Sequence, residues 1–177
     1  MTQDKPENIA AVDLFCGVGG LTYGLETAGI PVKLGVDLDQ SCEFALTSNS
    51  GAKFLAKDVA DLTAREVLEA YPEGSVRVLA GCAPCQPFST YSRAAKAKHG
   101  ESAGEGRSGD WKLLLEFGRL IQEVQPDIVT MENVPPLCQQ SVFTDFLKIL
   151  EGYWVDWRVV ECQSIGLPQT RKRLVLL

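Results

Sequence analysis

The stretch IAAVDLFCGVGG, Ile9 to Gly20, decides the fold. A short apolar run, Ile9 to Phe15, ends in Cys16-Gly17-Val18-Gly19-Gly20, and a helical pattern starts at Leu21. Strand, tight glycine turn and helix follow one another without a linker. Such a turn presents main-chain N–H groups to a ligand with no side chain in the way. The full G-x-G-x-x-G spacing is not met, because Gly17, Gly19 and Gly20 are followed by Gly24. The turn alone therefore names no ligand, and a plain structural turn accounts for it as well.

The rest of the chain repeats this alternation. Pro31 to Val36 reads as a second strand that stops at Asp37, and Gln40 to Asn49 as a helix ended by Ser50-Gly51. Lys53 to Leu55 is a short third strand with Asp58 just past its end, and Leu62 to Tyr71 is a helix closed by Pro72 and Gly74. Val76 to Ala80 is a buried strand running straight into GCAPCQPFS, residues 81–89. Tyr91 to Gly109 has no apolar period and reads as a long loop. Trp111 to Val124 is a helix, and Asp127 to Met131 a strand followed by Glu132-Asn133. Val142 to Leu150 is a helix, Tyr153 to Val160 a strand, and Leu174 to Leu177 a final strand. This pattern predicts an α/β fold: a doubly wound, mostly parallel sheet with helices on both faces. Ligands in such sheets bind beyond the carboxyl ends of the strands. Those ends carry Asp13 to Gly20, Asp37, Asp58, Cys82 to Ser89, and Glu132 with Asn133.

At 177 residues the chain suits one domain, residues 1–177, with a substantial core. No apolar run approaches a membrane span, and the polar N-terminus lacks a signal-peptide core, so a cytoplasmic location is expected, or a nuclear one in a eukaryote. The six cysteines are then expected as reduced thiols. Cys82 and Cys85 form a C-x-x-C pair, open to reading as half a zinc site, a redox dithiol, or a nucleophile with a bystander. A zinc site needs a second close pair of Cys or His, and the only histidine is His99, so no metal is expected. The net charge of −6 gives no support by itself to nucleic-acid binding.

Asp37 follows the glycine turn by about 20 residues, where a carboxylate suits ribose hydroxyls. Asp58 suits an adenine amine. Both also suit helix capping, a task Asp39 could perform in place of Asp37. Together with the turn they point to an adenosine-containing cofactor.

Four strings, DLFCGVGGLTYGLETAG, GCAPCQPFS, ENV and LPQTRKR, resemble in order and approximate spacing the cytosine-C5 DNA methyltransferases, over nearly the whole chain. The resemblance implies a Rossmann-like class I methyltransferase core and S-adenosylmethionine as cofactor, with S-adenosylhomocysteine as product. It implies that Phe15, Cys16, Gly17, Gly19, Gly20 and Leu21 hold the methionine end of the cofactor. Asp37 would bind the ribose, Leu38 would pack on adenine, Asp58 and Val59 would meet the adenine edge, and Pro84 would line the same site. Cys85 would be the nucleophile, with Gln86, Ser89 and Asn133 on the substrate side. Glu132 would contact a flipped cytosine, and Arg171 and Arg173 would help hold it. Residues 91–109 match the family's mobile catalytic loop, where Arg93, Lys96, Lys98 and Arg107 are candidate phosphate contacts or simply a solvated charged loop.

The chemistry fits these residue types. A thiolate added to cytosine C6 makes C5 enamine-like and able to accept a methyl group. A carboxyl group of raised pKa at N3 eases that addition, and Glu132 between Met131 and Val134 is placed for such a shift. The Arg173 guanidinium suits the base's O2 and can orient Glu132. The base must leave the duplex first, at a cost of about a few kcal/mol.

The chain departs from the family's usual pattern at Cys82-Ala83, and Asp110 to Leu113 match the next family motif only loosely. Cys82 is expected as a neutral, small strand-end residue. The family's target-recognition region and final motif have no counterpart before Leu177, so the chain is expected to be a split subunit, a truncation or a gene fragment. It would act on double-stranded DNA with a second chain or a C-terminal segment. Three rivals stand beside this reading. They are a tRNA cytosine-C5 methyltransferase, a catalytically silent interaction module, and a C-x-x-C oxidoreductase in which both cysteines matter.

Overall fold

The computed structural model describes residues 8–84 and 112–177. Seven strands form one sheet: β1 (Ile9–Leu14), β2 (Val32–Asp37), β3 (Lys53–Ala56), β4 (Val76–Gly81), β5 (Ile128–Asn133), β6 (Trp157–Glu161) and β7 (Lys172–Leu176). Their order is β3-β2-β1-β4-β5-β7-β6. Pairs β1–β2, β1–β4, β2–β3 and β4–β5 are parallel, while β7 is antiparallel to both β5 and β6. The central strands read as unbroken apolar runs because both faces of the sheet are covered.

Among the described residues, five α-helices flank the sheet: α1 (Gly20–Thr27), α2 (Glu43–Asn49), α3 (Ala64–Leu68), α4 (Lys112–Val124) and α5 (Ser141–Ile149). On one face, Val67, Leu114, Phe117, Leu120, Phe143 and Phe146 from α3, α4 and α5 pack on Val12, Leu79, Met131 and Leu176. On the other, Leu25 of α1 and Leu46 of α2 cover Ala11, Val32 and Val78. The predicted doubly wound architecture is the one observed.

Element ends differ where long-range pairing overrides local pattern. β5 continues through Glu132 and Asn133 because these residues pair with Val175 and Leu174 of β7. β6 begins at Trp157 rather than Tyr153. The Tyr153 hydroxyl donates instead to the Pro126 carbonyl at 2.8 Å, and Asp156 exchanges main-chain bonds with Leu177. α3 is short because Thr63 caps it with a reciprocal Thr63–Glu66 box, leaving buried Leu62 outside the helix. The predicted helix from Gln40 begins as a 3-10 turn, Gln40–Cys42, capped by Asp39.

Candidate active site

Four strand ends meet at the carboxyl edge of β1, β4 and β5, where β7 begins. After β1 the chain turns sharply. Phe15 adopts a left-handed φ of 57°, costly for a bulky residue, followed by Gly17 at 51° and Gly19 at 91°. Strain of this kind persists where the surrounding structure enforces it. One enforcing bond is the Gly17 N–H, which donates to Asp37 Oδ2 at 2.8 Å, tying the turn to the end of β2. Asp37 Oδ1 accepts from the Asp39 N–H at 2.9 Å, so the helix-capping task falls to Asp39, whose carboxylate accepts from Ser41.

Among the described residues, the surface around the turn is open. Gly19 caps α1 without any side-chain bond, and a Cβ built on Gly17 or Gly20 meets nothing within 4 Å. Leu38 is 71 % exposed beside it. These features suit a ligand carrying polar groups for the turn and a flat apolar ring for Leu38, which is the chemistry of S-adenosylmethionine. Leu21, in the first turn of α1, is half-buried. Cys16 faces the other way. Its thiol is buried among Ala11, Val32 and Leu46, and burial pushes its pKa up, so only its main chain can serve a ligand. Asp58 accepts from the Ala60 N–H at 2.9 Å, the capping role, and the Val59 side chain is buried in the core.

Beneath the turn lies Asp13, fully buried on the face covered by α1. Thr22 Oγ1 donates to its Oδ2 at 2.7 Å, while Oδ1 finds no partner among the described residues. Burial raises its pKa from 3.8 to about 6, against the lowering effect of Thr22.

The β4–β5 edge carries the second half of the site. The Arg173 guanidinium lies 2.5 Å from Glu132 Oε1, both groups about one quarter to one third exposed. Asn133, expected among the substrate contacts, is buried and committed to the main chain. Its Nδ2 donates to the Ala83 carbonyl at 2.9 Å, and its Oδ1 accepts from the Val134 N–H at 2.8 Å. It therefore clamps the segment leading to Pro84, which is half-buried at the end of the described stretch. The strand register sets Cys82, one residue past the Gly81–Met131 pair, beside Glu132. Burial, then the neighbouring Glu132 and Asp13 carboxylates, push its pKa up to about 12, so it is a thiol at neutral pH. Arg171 is exposed just before β7, its carbonyl accepting from Cys162.

The structure thus brings Phe15 to Leu21 together with Asp37 and Leu38, and Glu132 together with Arg173 beside the Cys82–Pro84 segment. Cys85, Gln86, Ser89, the predicted loop 91–109 and Trp111 lie outside the described residues. Asp13, named among the strand-end groups, proves fully buried; sequence reasoning missed that burial and the placement of Cys82 beside Glu132. The burial was detectable from a charge inside an otherwise apolar strand. The Cys82 placement was detectable only by aligning the ends of β4 and β5. Among the described residues no group of three or more His, Cys, Asp or Glu side chains is arranged to hold a metal ion, and no helix is long and apolar enough to cross a membrane.

A parallel sheet with one reversed strand beside its edge, and a glycine turn after its central strand, places the protein in the Rossmann-like class of methyltransferases. The family model for C-5 cytosine-specific DNA methylases matches residues 9–177, and the chain belongs to that family. It is 44 % identical over 172 residues to the type II methylase M.HgiDII of Herpetosiphon aurantiacus, covering 94 % of this chain and 46 % of the relative. It is 26 % identical over 182 residues to the type II methyltransferase M.AquIA of a Picosynechococcus strain, covering 94 % of this chain and 70 % of the relative. Among solved structures it superposes with a TM-score of 0.75 and 26 % identity on a candidate DNA modification methyltransferase encoded within an E. coli prophage, over 95 % of this chain and 45 % of that one. The S. pombe Dnmt2 methyltransferase shares the fold, with a TM-score of 0.70 at 18 % identity over 95 % of this chain and 48 % of that one. The chain spans less than half the length of the first of these curated relatives, 46 %.

Proposed function

We propose that this chain is the catalytic part, residues 1–177, of an enzyme that methylates C5 of cytosine in double-stranded DNA. The observation that carries the reading is the Glu132–Arg173 pair, held at the sheet edge beside the Cys82–Pro84 segment and next to the glycine turn of β1. The remaining length seen in the relatives, on the same or a second chain, is the proposed source of target recognition. That division of labour fits a net charge of −6, since most DNA contacts would come from elsewhere. A bacterial cytoplasm, at the nucleoid, is the setting that fits such an enzyme.

S-adenosylmethionine, when bound, supplies an electrophilic sulfonium methyl group. The strained Phe15 to Gly20 turn would hold its methionine end through main-chain N–H groups, with Leu21 at the start of α1. Asp37 would take the ribose hydroxyls, Leu38 the adenine face, and Asp58 and Val59 the adenine edge. The last two would do so mainly through the main chain, because the Asp58 carboxylate already caps Ala60 and the Val59 side chain is buried.

In the reaction proper, the Cys85 thiolate bonds to C6 of the flipped cytosine, and the C5–C6 π electrons become available at C5. Glu132 bridges to N3 through a shared proton as the ring takes up charge, and Arg173 keeps that carboxyl group facing the base. The new C5–CH3 bond forms as the sulfonium S–CH3 bond breaks, leaving S-adenosylhomocysteine. Loss of the C5 proton to water then reforms the double bond and expels Cys85. Arg171 helps hold the base, and Gln86 and Ser89 shape the turn around Cys85.

The test supplies the chain with the complementary half of a relative and measures methyl transfer to duplex DNA and to tRNA. Transfer to DNA, together with a trapped covalent complex on 5-fluorocytosine DNA that Cys85→Ser abolishes, is the expected result. Transfer to tRNA alone would overturn the DNA assignment. Failure to trap any complex would favour an interaction module.

A further inference from the structure

Three carboxyl- or thiol-bearing side chains line up across the carboxyl end of the sheet, and the mechanism above uses only one of them. The strand register fixes the line. Asp13 of β1 stands opposite Ala80 of β4, and Ala80 stands opposite Thr130 of β5. Two residues further along each strand, the same face carries Cys82 and Glu132, because side chains alternate between faces. The next strand, β7, pairs Val175 with Glu132 and so presents Arg173 on that face as well. The Cys82 N–H bonds the Leu14 carbonyl at 3.3 Å, which holds the residue in sheet-like alignment past the end of β4. Arg173 lies on one side of the Glu132 carboxylate, at 2.5 Å, and Cys82 sits beside Glu132 on the adjacent strand, one residue past the Gly81–Met131 pair.

We propose that Cys82 is a positioning residue for Glu132: its S–H donates to the Glu132 carboxylate while the Glu132 main-chain N–H donates to its sulfur, so that thiol and guanidinium together fix the carboxyl group at the cytosine-binding edge. Arg173 supplies charge and one direction of pull. Alone, it would leave the carboxylate free to swing about its terminal torsion, which has a broad, roughly two-fold profile. A second donor from a different strand removes that freedom. The thiol suits the task because it stays protonated: burial and the flanking Asp13 and Glu132 carboxylates hold its pKa at about 12. It is therefore a permanent donor at neutral pH and a poor nucleophile. Among the described residues, the charged or titratable groups facing Glu132 in this cluster are Arg173 from β7 and Cys82 at the end of β4, with Asp13 of β1 behind Cys82. The role in methyl transfer rests on the proposed function; the contact itself does not.

Two measurements on the whole chain separate these. In the first, Cys82 alkylation by iodoacetamide is followed by peptide mapping at about pH 9. Glu132→Gln removes the negative charge beside the thiol, and Cys82 should react about threefold faster or more, following its larger thiolate fraction. An unchanged rate would overturn the contact. In the second, methyl transfer is measured against pH with the complementary half supplied. Cys82→Ala should lower kcat by about tenfold and displace the limb of the profile set by the N3 proton donor, with KM for S-adenosylmethionine little changed. Cys82→Ser, which keeps a donor, should restore most of both. Equal losses in the two variants with an unmoved profile would reduce Cys82 to packing and sink the inference. A wild-type chain that alkylates as expected yet transfers no methyl group would instead overturn the proposed function.

Discussion

Arg173 and Glu132 form a 2.5 Å ion pair across β7 and β5, with the arginine entering from the one reversed strand of the sheet. The reversal matters. An antiparallel β7 starts where β5 ends, so the first residues of β7 arrive at the carboxyl edge where the functional groups collect. Removing the guanidinium in Arg173→Ala should lower methyl transfer by about 100-fold, since both the carboxyl orientation and the charge facing the base are lost. Arg173→Lys should recover only part of this, because an ammonium cannot reproduce the planar fork. Single-turnover rates decide it, and full activity in Arg173→Ala would remove the pair from the mechanism.

Asn133 joins β5 to the Ala83 carbonyl just before Pro84, in a buried position. Asn133→Ala leaves that carbonyl without its donor and should cost about 1–3 kcal/mol of stability. Asn133→Asp should be worse at neutral pH, because a carboxylate cannot donate to a carbonyl oxygen. Urea midpoints for the two variants check the order, and an unchanged midpoint in Asn133→Ala would show that the clamp carries no load.

The fold was largely legible because its signals are local. Buried apolar runs marked β1, β2 and β4, and Gly and Pro marked their ends. The glycine turn, Asp37 and Glu132 could all be placed at strand ends on this basis. What was not legible depends on pairing between distant segments. The extension of β5 through Asn133 requires β7, and the Ala83 clamp follows from it. Cys82 reads from sequence as a neutral strand-end residue, since nothing local shows that β4 and β5 are aligned to set it opposite Glu132. Asp58 shows the opposite limit: a capping aspartate and an adenine ligand look alike in sequence, and the structure shows the cap.

Asp13 predicts a pH dependence. Its pKa rises from 3.8 to about 6 on folding, chiefly through burial, so the folded state holds this proton more tightly than the unfolded state does. The associated stability is fully present below about pH 4 and is lost as pH rises through about 6. The loss amounts to about 3 kcal/mol. Asp13→Asn keeps an oxygen for Thr22 and has no proton to lose. The difference in unfolding free energy between variant and wild type should therefore move in the variant's favour between about pH 4 and 6. Comparing the two by urea denaturation across that range cancels the contributions of other groups, and a constant difference would disprove the shift.

Gly17 and Gly19 separate ligand binding from folding. Both have left-handed φ values, 51° and 91°, so alanine at either carries backbone strain of about 1–2 kcal/mol. Their surroundings differ. A Cβ on Gly19 would lie 3.2 Å from Leu46 Cδ1 in the core, whereas one on Gly17 meets none of the described residues within 4 Å. Gly19→Ala should therefore lose more stability than Gly17→Ala. The methyl group of Gly17→Ala projects from the turn proposed to face the cofactor, and its effect should appear in binding. Calorimetric titration with S-adenosylhomocysteine should show affinity weakened by about tenfold or more in Gly17→Ala. Its thermal midpoint should fall by only about 2–8 °C, as expected for the strain alone. Equal affinity in wild type and Gly17→Ala would move the cofactor site away from this turn.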